Sequence, residues 1–459
     1  MGGRLGARRP KEEPVASAGD TGPEPLDFSP KTLWRRFRNQ AAGFQIACLY
    51  IVFEYVRPQS RFPIIDFLPW TMLVILAGVI AVVPEVGRRG WTRSSVYLWL
   101  ALYLLVAAFS LIFAEFPAYG ISEWEKLVPW IVVIVLISNT ATTRERLLIL
   151  MLVYFLCNVR FSQFGLRSFV LSGFSLPGHG FYGPTGWFQN PGELGVQMAM
   201  FTPLAFLVVY ALWPRLGRWG RVLFALLPIS ALITTVGSNS RGAIIAVAVA
   251  MSWALMAVGV RFRNIVAVGV LALIGFFLIG EETRERFQTM GDDTTSQRRL
   301  TFISDGLEMI GDHPITGIGY FNWMPYYMAH FPPVDDVRYL GTHQLPHNIL
   351  IQVTAELGLP GLFVFAMLVV LALQTGRRTR RMLSDKDILL RHVSHGVDAG
   401  LVAFLLAGQF VTVLYYPYFW ISLALIIALH ETVRREEASR NGTKRSGRPQ
   451  GGIRAAAND

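Results

Sequence analysis

Charge is scarce in this 459-residue chain: Asp, Glu, Lys and Arg make up 16% of it, against 53% hydrophobic residues. Cysteine is scarcer. Cys48 and Cys157 are the whole complement, each inside an apolar run, which argues against a disulfide framework or a metal cluster. There is no Walker motif, no dinucleotide glycine fingerprint and no nucleophile elbow, so the catalytic parts of an ATPase or a dehydrogenase are missing. The first thirty residues, rich in Gly, Pro, Ala and charge, lack an apolar core. They read as a disordered cytoplasmic tail (1–40) rather than a cleaved signal peptide.

What the chain does have is apolar sequence of membrane-spanning length, repeatedly. Mean hydropathy is +0.41. Twelve spans are expected at roughly 43–56, 69–84, 95–113, 127–139, 147–162, 193–213, 222–237, 242–260, 264–280, 347–374, 398–416 and 417–433. The first, fourth and seventh fall short of the ~20 residues a straight crossing needs. Either they run into flanking loops or a neighbouring pair is re-entrant, which brackets the count at ten to twelve. The fold class is therefore all-α: a polytopic integral membrane protein with about 10–12 transmembrane helices and a large periplasmic loop.

The net charge of +11 resembles a nucleic-acid signature, but its distribution is that of a membrane topology. With the N-terminus inside, segments 1–40, 85–95, 140–146, 214–221, 261–263, 375–397 and 434–459 carry 31 of the 42 lysines and arginines. The outer loop 114–126 is instead acidic, with Glu115, Glu123 and Glu125. Both termini are thus expected in the cytoplasm. Residues 41–433 form the transmembrane domain, and 434–459 a basic cytoplasmic tail. Two outer segments, 163–192 and 281–346, are longer than a connection requires. The second holds an expected amphipathic helix at 297–311, with Leu300, Ile303, Leu307 and Ile310 on one face, suited to the membrane surface.

Ionisable residues of the outer face gather in three places. At Gly237-Ser238-Asn239-Ser240-Arg241-Gly242, Ser240 or Asn239 can cap the next helix, and its free N–H groups with Arg241 form an anion site. A snorkelling interfacial arginine is the plainer alternative. Arg298 and Arg299 offer planar forks for phosphate oxygens, or form a solvated surface pair near Asp292 and Asp293. At the third place, His347 precedes a polar stripe of Asn348, Gln352 and Glu356 at i, i+4 and i+8, which should face the bundle interior or a water-filled cavity. His347 can serve as a general base; a structural histidine beside a packing stripe is the alternative. His179, His313, His330 and His343 show no metal-ligand spacing. Asp292-Asp293 and Asp335-Asp336 read as solvated pairs.

If the three places converge, they suit a substrate with a lipid tail and an interfacial pyrophosphate. Arginines and helix N-termini would stabilise the leaving group while a histidine takes the acceptor's proton.

The residues that carry this chemistry also resemble a known family. Gly237-Ser238-Asn239-Ser240-Arg241-Gly242-Ala243 resembles the serine-arginine-glycine turn of the O-antigen ligase and polymerase superfamily. So do Arg298/Arg299 followed by Asp312-His313-Pro314-Ile315-Thr316-Gly317-Ile318-Gly319, and His347-Asn348-Ile349-Leu350 through Ala355-Glu356-Leu357-Gly358-Leu359-Pro360-Gly361. Phe188-Gln189-Asn190-Pro191-Gly192-Glu193 resembles its asparagine-proline motif. Together these cover roughly 180–365 in the family's order.

The resemblance implies a bacterial inner-membrane glycosyltransferase acting on undecaprenyl-pyrophosphate-linked glycan. The acceptor would be a glycan, lipid A core or a protein hydroxyl, as in O-antigen ligation or exopolysaccharide polymerisation. It implies metal-independent transfer without a cofactor, His347 as base, and Arg241 on the pyrophosphate. Arg298, Arg299, Asn348, Glu356 and Asn190 complete the expected binding set. One departure stands out: Gly180–Trp187 lacks the arginine that many members carry before the asparagine-proline motif, leaving Arg160 or Arg167 as substitutes. Glu54-Tyr55-Val56-Arg57-Pro58-Gln59 also looks like members from exopolysaccharide systems. A transporter or flippase of lipid-linked glycan shares the topology, but predicts functional charge at both faces and the midplane.

Overall fold

A computed structural model of the chain describes residues 29–176, 179–264, 266, 269, 294–331 and 344–446. Most of the ninth expected span, the pairs Asp292-Asp293 and Asp335-Asp336, His343, and the outer parts of both tails lie outside the described residues. Helix α1 (Pro30–Arg38) belongs to a separate unit, 1–39. The second unit, 40–459, holds all the other described helices.

No strand occurs among the described residues. Helices α2 (Ala42–Tyr55), α3 (Pro58–Arg61), α4 (Trp70–Arg89), α5 (Ser95–Ile112), α6 (Pro117–Thr140) and α7 (Arg144–Leu171) make the first half. Then come α8 (Pro191–Leu212), α9 (Arg218–Gly237) and α10 (Arg241–Ala257). Helices α11 (Thr294–Asp312) and α12 (Trp323–His330) precede α13 (Ile349–Met382), α14 (Ile388–Ala407) and α15 (Pro417–Ser446). Seven of the described helices are long and apolar enough to cross a membrane, and the architecture is the expected all-α polytopic one.

The short expected spans resolve in two ways. The fourth and seventh run into their flanks, as α6 with 24 residues and α9 with 20. The first remains 14 residues long as α2. Two boundaries move further. Helix α7 continues to Leu171, so the outer segment expected to begin at 163 begins nine residues later. The eleventh span, expected at 398–416, is α14 at Ile388–Ala407. His392, His395 and Asp398 hide its apolar period from a sequence reading. Arg380 makes this burial tolerable by donating to Asp398 at 2.5 Å and Ser394 at 2.9 Å, since a charge inside a bundle needs a partner.

Helix α8 is the axis of the bundle. Of its apolar window 78% is buried inside the protein, against 28% for α4. It packs against α9, α10 and α14. Because the helices alternate in direction, the starts of α8, α10, α13 and α15 and the ends of α2, α9 and α14 meet at one end. The basic connections around Arg88, Arg218 and Arg381 lie at the other.

Candidate active site

The start of α13 is built by Asn348. As N-cap, its Oδ1 accepts from Leu350 N at 3.0 Å and Ile351 N at 3.1 Å, satisfying two of the helix's orphan donors. The preceding residue, His347, sits in left-handed backbone at φ +52, a conformation that costs a non-glycine residue on the order of 1–3 kcal/mol and concentrates at functional sites. Its Nδ1 lies 2.9 Å from Thr412 Oγ1, which leaves Nε2 as the nitrogen facing other chemistry. Burial pushes the imidazole down to about 4, with Arg299 and then Arg298 adding repulsion. Near neutral pH the ring is therefore uncharged, with a free lone pair to accept a proton.

The polar stripe faces inward as expected: Gln352 and Glu356 are both 0% exposed. Glu356 is a structural hub. Its carboxylate accepts from Phe321 N at 3.2 Å, Trp323 N at 3.4 Å and Gln352 Nε2 at 3.5 Å, and from the Tyr415 hydroxyl. Just beyond it the helix kinks. Gly358 has φ +66 and ψ −175, which is glycine territory, and Pro360 has no N–H to return to the Glu356 carbonyl. The carbonyls this frees are taken up by the glycine-rich turn after α11. Ile318 N donates to Ala355 O at 2.8 Å and Gly319 N to Glu356 O at 3.1 Å, while Leu359 N donates to Pro314 O at 2.8 Å. A side chain at Gly358 would run into the Ile315 carbonyl. The two glycine motifs singled out in the sequence are thus the two halves of one interlock.

Helix α11 forms where expected, and the residues it turns into the protein lie off the Leu300–Leu307 stripe. Phe302, Asp305, Gly306 and Met309 turn inward, whereas Leu300 and Leu307 are exposed. Phe302 meets Trp323 and Tyr327, and the Tyr327 hydroxyl donates to Asp305 at 2.8 Å. At the start of this helix Arg298 and Arg299 are both half-buried rather than fully solvated. Arg298 donates to Gln344 Oε1 at 3.1 Å, three residues before His347. Its Nε is buried and makes no hydrogen bond within the protein.

Arg241 opens α10. Ser240 caps that helix, its Oγ accepting from Ala243 N at 3.4 Å, and Asn239 takes the left-handed turn position at φ +54. Asn190 caps α8 by backbone geometry alone. Its side chain lies 3.5 Å from Glu193 Oε1. The Gly180–Trp187 loop bonds to the arginine turn through Phe181 N to Gly237 O at 2.8 Å. Arg57 reaches this loop, its guanidinium 5.0 Å from the Trp187 ring centroid.

What unites these places is a segment not singled out in the sequence, the connection from Gly408 to Tyr416. Its Gly408 carbonyl accepts from Ile349 N at 2.8 Å, and Phe410 packs on Gly242. Val411 approaches Gly192, Thr412 meets His347, Tyr415 meets Glu356, and Tyr416 donates to Glu193 at 3.3 Å. The aromatic run Tyr415-Tyr416-Pro417-Tyr418 was the available signal, because aromatics collect at membrane interfaces. Placing 398–416 inside a span concealed it. Beside this segment opens a cavity of about 770 Å³ whose wall includes Thr412, Tyr415 and Tyr416.

Two other outer-face histidines have local partners. His313 Nε2 is 3.2 Å from the Tyr326 hydroxyl, and His330 Nε2 is 2.6 Å from Glu115. Among the described residues no three His, Cys, Asp or Glu side chains gather as a metal site would require.

Comparison with known families decides what the arrangement resembles. Residues 225–366 match the O-antigen ligase family. The match bears out the resemblance to the O-antigen ligase and polymerase superfamily. None of the curated proteins compared matches the chain. The O-antigen ligase segment contains Arg241, Arg298, Arg299, His347, Asn348 and Glu356. It stops short of Asn190 on one side and of the Gly408–Tyr416 connection on the other, so two walls of the site come from outside it.

Proposed function

We propose that this protein is a glycosyltransferase that moves a glycan from undecaprenyl pyrophosphate to an acceptor hydroxyl at the periplasmic face of the bacterial inner membrane. The reading rests on one observation above the others. His347 is kept neutral, is fixed through Nδ1 to Thr412, and stands beside two arginines that would otherwise be an odd setting for a base. The arginines suit the donor. In the reaction the acceptor oxygen forms a bond to the anomeric carbon as the carbon–oxygen bond to pyrophosphate breaks. The bonding electrons leave on the pyrophosphate, and the acceptor proton passes to His347 Nε2 when Nδ1–H is donated to Thr412. Arg241, Arg298 and Arg299 stabilise the departing charge, helped by the N-terminus of α10.

On this reading the supporting residues take different parts. Arg299 is the arginine that acts more strongly on His347, while Arg298 is tied to Gln344. Asn348, Glu356 and Asn190 hold the walls. Asn348 caps the helix that carries the base, Glu356 anchors the 321–323 turn and Tyr415, and Asn190 orients Glu193. Transfer proceeds without a metal or cofactor.

The test is transfer by the purified full-length protein, with an undecaprenyl-pyrophosphate oligosaccharide, no nucleotide sugar, and a chelator present. A polymer ladder without lipid A core identifies exopolysaccharide polymerisation, and a single step onto core identifies ligation. His347→Ala should lose at least about a hundredfold in rate, as removal of a general base does. Full activity in that variant removes the base assignment, and restoration only on adding a divalent cation removes the metal-free mechanism. Absence of any product with wild-type protein returns the flippase reading.

A further inference from the structure

The cavity of about 770 Å³ beside Tyr415 and Tyr416 extends away from the arginines. Its volume is that of a small-ligand site (~300–1,000 Å³). Its far wall is the end of α2, the α3 turn and the starts of α4 and α6, none of which the transfer chemistry uses. Its ionisable lining is Glu54, Asp66, Glu123 and Glu125 against Arg57 and Lys126, so carboxylates outnumber cations and a pyrophosphate is disfavoured there. The uncharged part of the wall mixes aliphatic residues such as Leu68, Met72 and Ile75 with aromatic ones, among them Trp130, Trp187 and Tyr416. Trp187 meets Tyr416 edge-on with centroids 5.3 Å apart and lies 6.0 Å from Trp130.

Two features show a built surface rather than a gap between helices. Gln59, 7% exposed, lines the cavity with an Oε1 that makes no hydrogen bond within the protein. A buried acceptor of this kind is costly unless something donates to it. Arg57 is held in left-handed backbone, φ 46 and ψ 61, beside Gly186 and over Trp187. Such conformations persist where surroundings enforce them. Trp187 is fixed from the other side by Glu54, whose Oε1 accepts its Nε1–H at 2.8 Å.

We propose that this cavity is the acceptor subsite, binding an uncharged sugar ring next to the hydroxyl presented to His347. An aromatic wall offers a flat apolar face to the C–H side of a pyranose. Gln59 and Asp66 accept from its hydroxyls, and Glu54 with Arg57 hold Trp187 in plane. Thr412, the partner of His347, lines the cavity, so a sugar seated against Trp187 can place its neighbour toward the base. The assignment rests on the glycosyltransferase reading and specifies which side of the site takes the acceptor.

The experiment uses the full chain in lipid nanodiscs with two pyrophosphate-free probes: the methyl glycoside of the repeat oligosaccharide released from the host's own polysaccharide, and the delipidated core oligosaccharide. Binding is followed by saturation-transfer NMR, and acceptor and donor KM by transfer. Trp187→Ala and Gln59→Ala should each weaken binding and raise the acceptor KM by about tenfold, or 1.4 kcal/mol, leaving the donor KM unchanged. Trp187→Phe should restore most of the loss, and inorganic pyrophosphate should not displace the probe. Which probe binds distinguishes a growing polymer from a core. Unchanged acceptor KM in both alanine variants, or a raised donor KM, overturns the subsite while wild-type transfer keeps the enzyme reading. Trp187-dependent binding without transfer from any wild-type preparation does the reverse. If Trp187→Ala fails to elute as a folded protein, Gln59→Ala decides.

Discussion

His347 takes its chemistry from its surroundings. Its ring is half-buried, its Nδ1 is committed to Thr412, and two arginines oppose its protonation. The sign of the pH effect follows. The folded protein binds the imidazole proton less readily than the unfolded chain, whose histidine titrates near 6.5. Stability from the neutral ring is thus complete above about pH 6.5 and is lost as pH falls toward about 4. The kcat/KM profile should show its acid limb near pH 4, and thermal stability should decline through the same window in wild-type protein but not in His347→Gln. A limb at 6.5 would mean that the ring is solvated. His347, Arg241 and the arginine pair were legible in the sequence because each abuts a helix start or a glycine turn. Thr412 and Tyr415 were not: they lie about 60 residues from their partners, and no local spacing links a hydroxyl to a distant base.

At the scale of elements, the decisive join is the kink of α13 against the turn after α11. Gly358 sits where only glycine is comfortable, and Gly317, at φ +64, lies directly against the Glu356 backbone. Gly358→Ala should destabilise the protein by roughly 1–3 kcal/mol and displace Ile315, loosening the turn that donates to Glu356. Limited proteolysis of the 312–323 region checks this: faster cleavage than in wild type is expected, and unchanged cleavage would show that the interlock tolerates a side chain. The helix at Thr294–Asp312 was readable from periodicity, but its buried face was not. Asp305 and Gly306 interrupt the apolar stripe that points to the core, and the buried acidic residue is met there by the Tyr327 hydroxyl, which donates to it.

At the scale of the molecule, the alternation of basic and acidic connections predicts that the His347 end faces the periplasm. Cys48 and Cys157 are both buried, so introduced cysteines report without interference. Tyr182→Cys, at an exposed position of the site end, should react with a membrane-impermeant maleimide in intact cells. Gly217→Cys, at the opposite end, should react only after lysis. The reverse pattern would invert the topology. The spans themselves were largely readable from hydropathy. The exceptions were places where buried pairs such as Arg380–Asp398 carry a helix through polar sequence.

The Gly408–Tyr416 connection adds a temporal consequence. It is the hub on which His347, Glu356 and the arginine turn all lean, yet it is made after every one of them as the chain is synthesised. The earlier helices can insert and pack around α8, but the base has no Thr412 and Glu356 no Tyr415 until α14 and α15 close the bundle. On the proposed reading the assembly order is a safeguard: a nascent chain has no complete site until its last hairpin is in place.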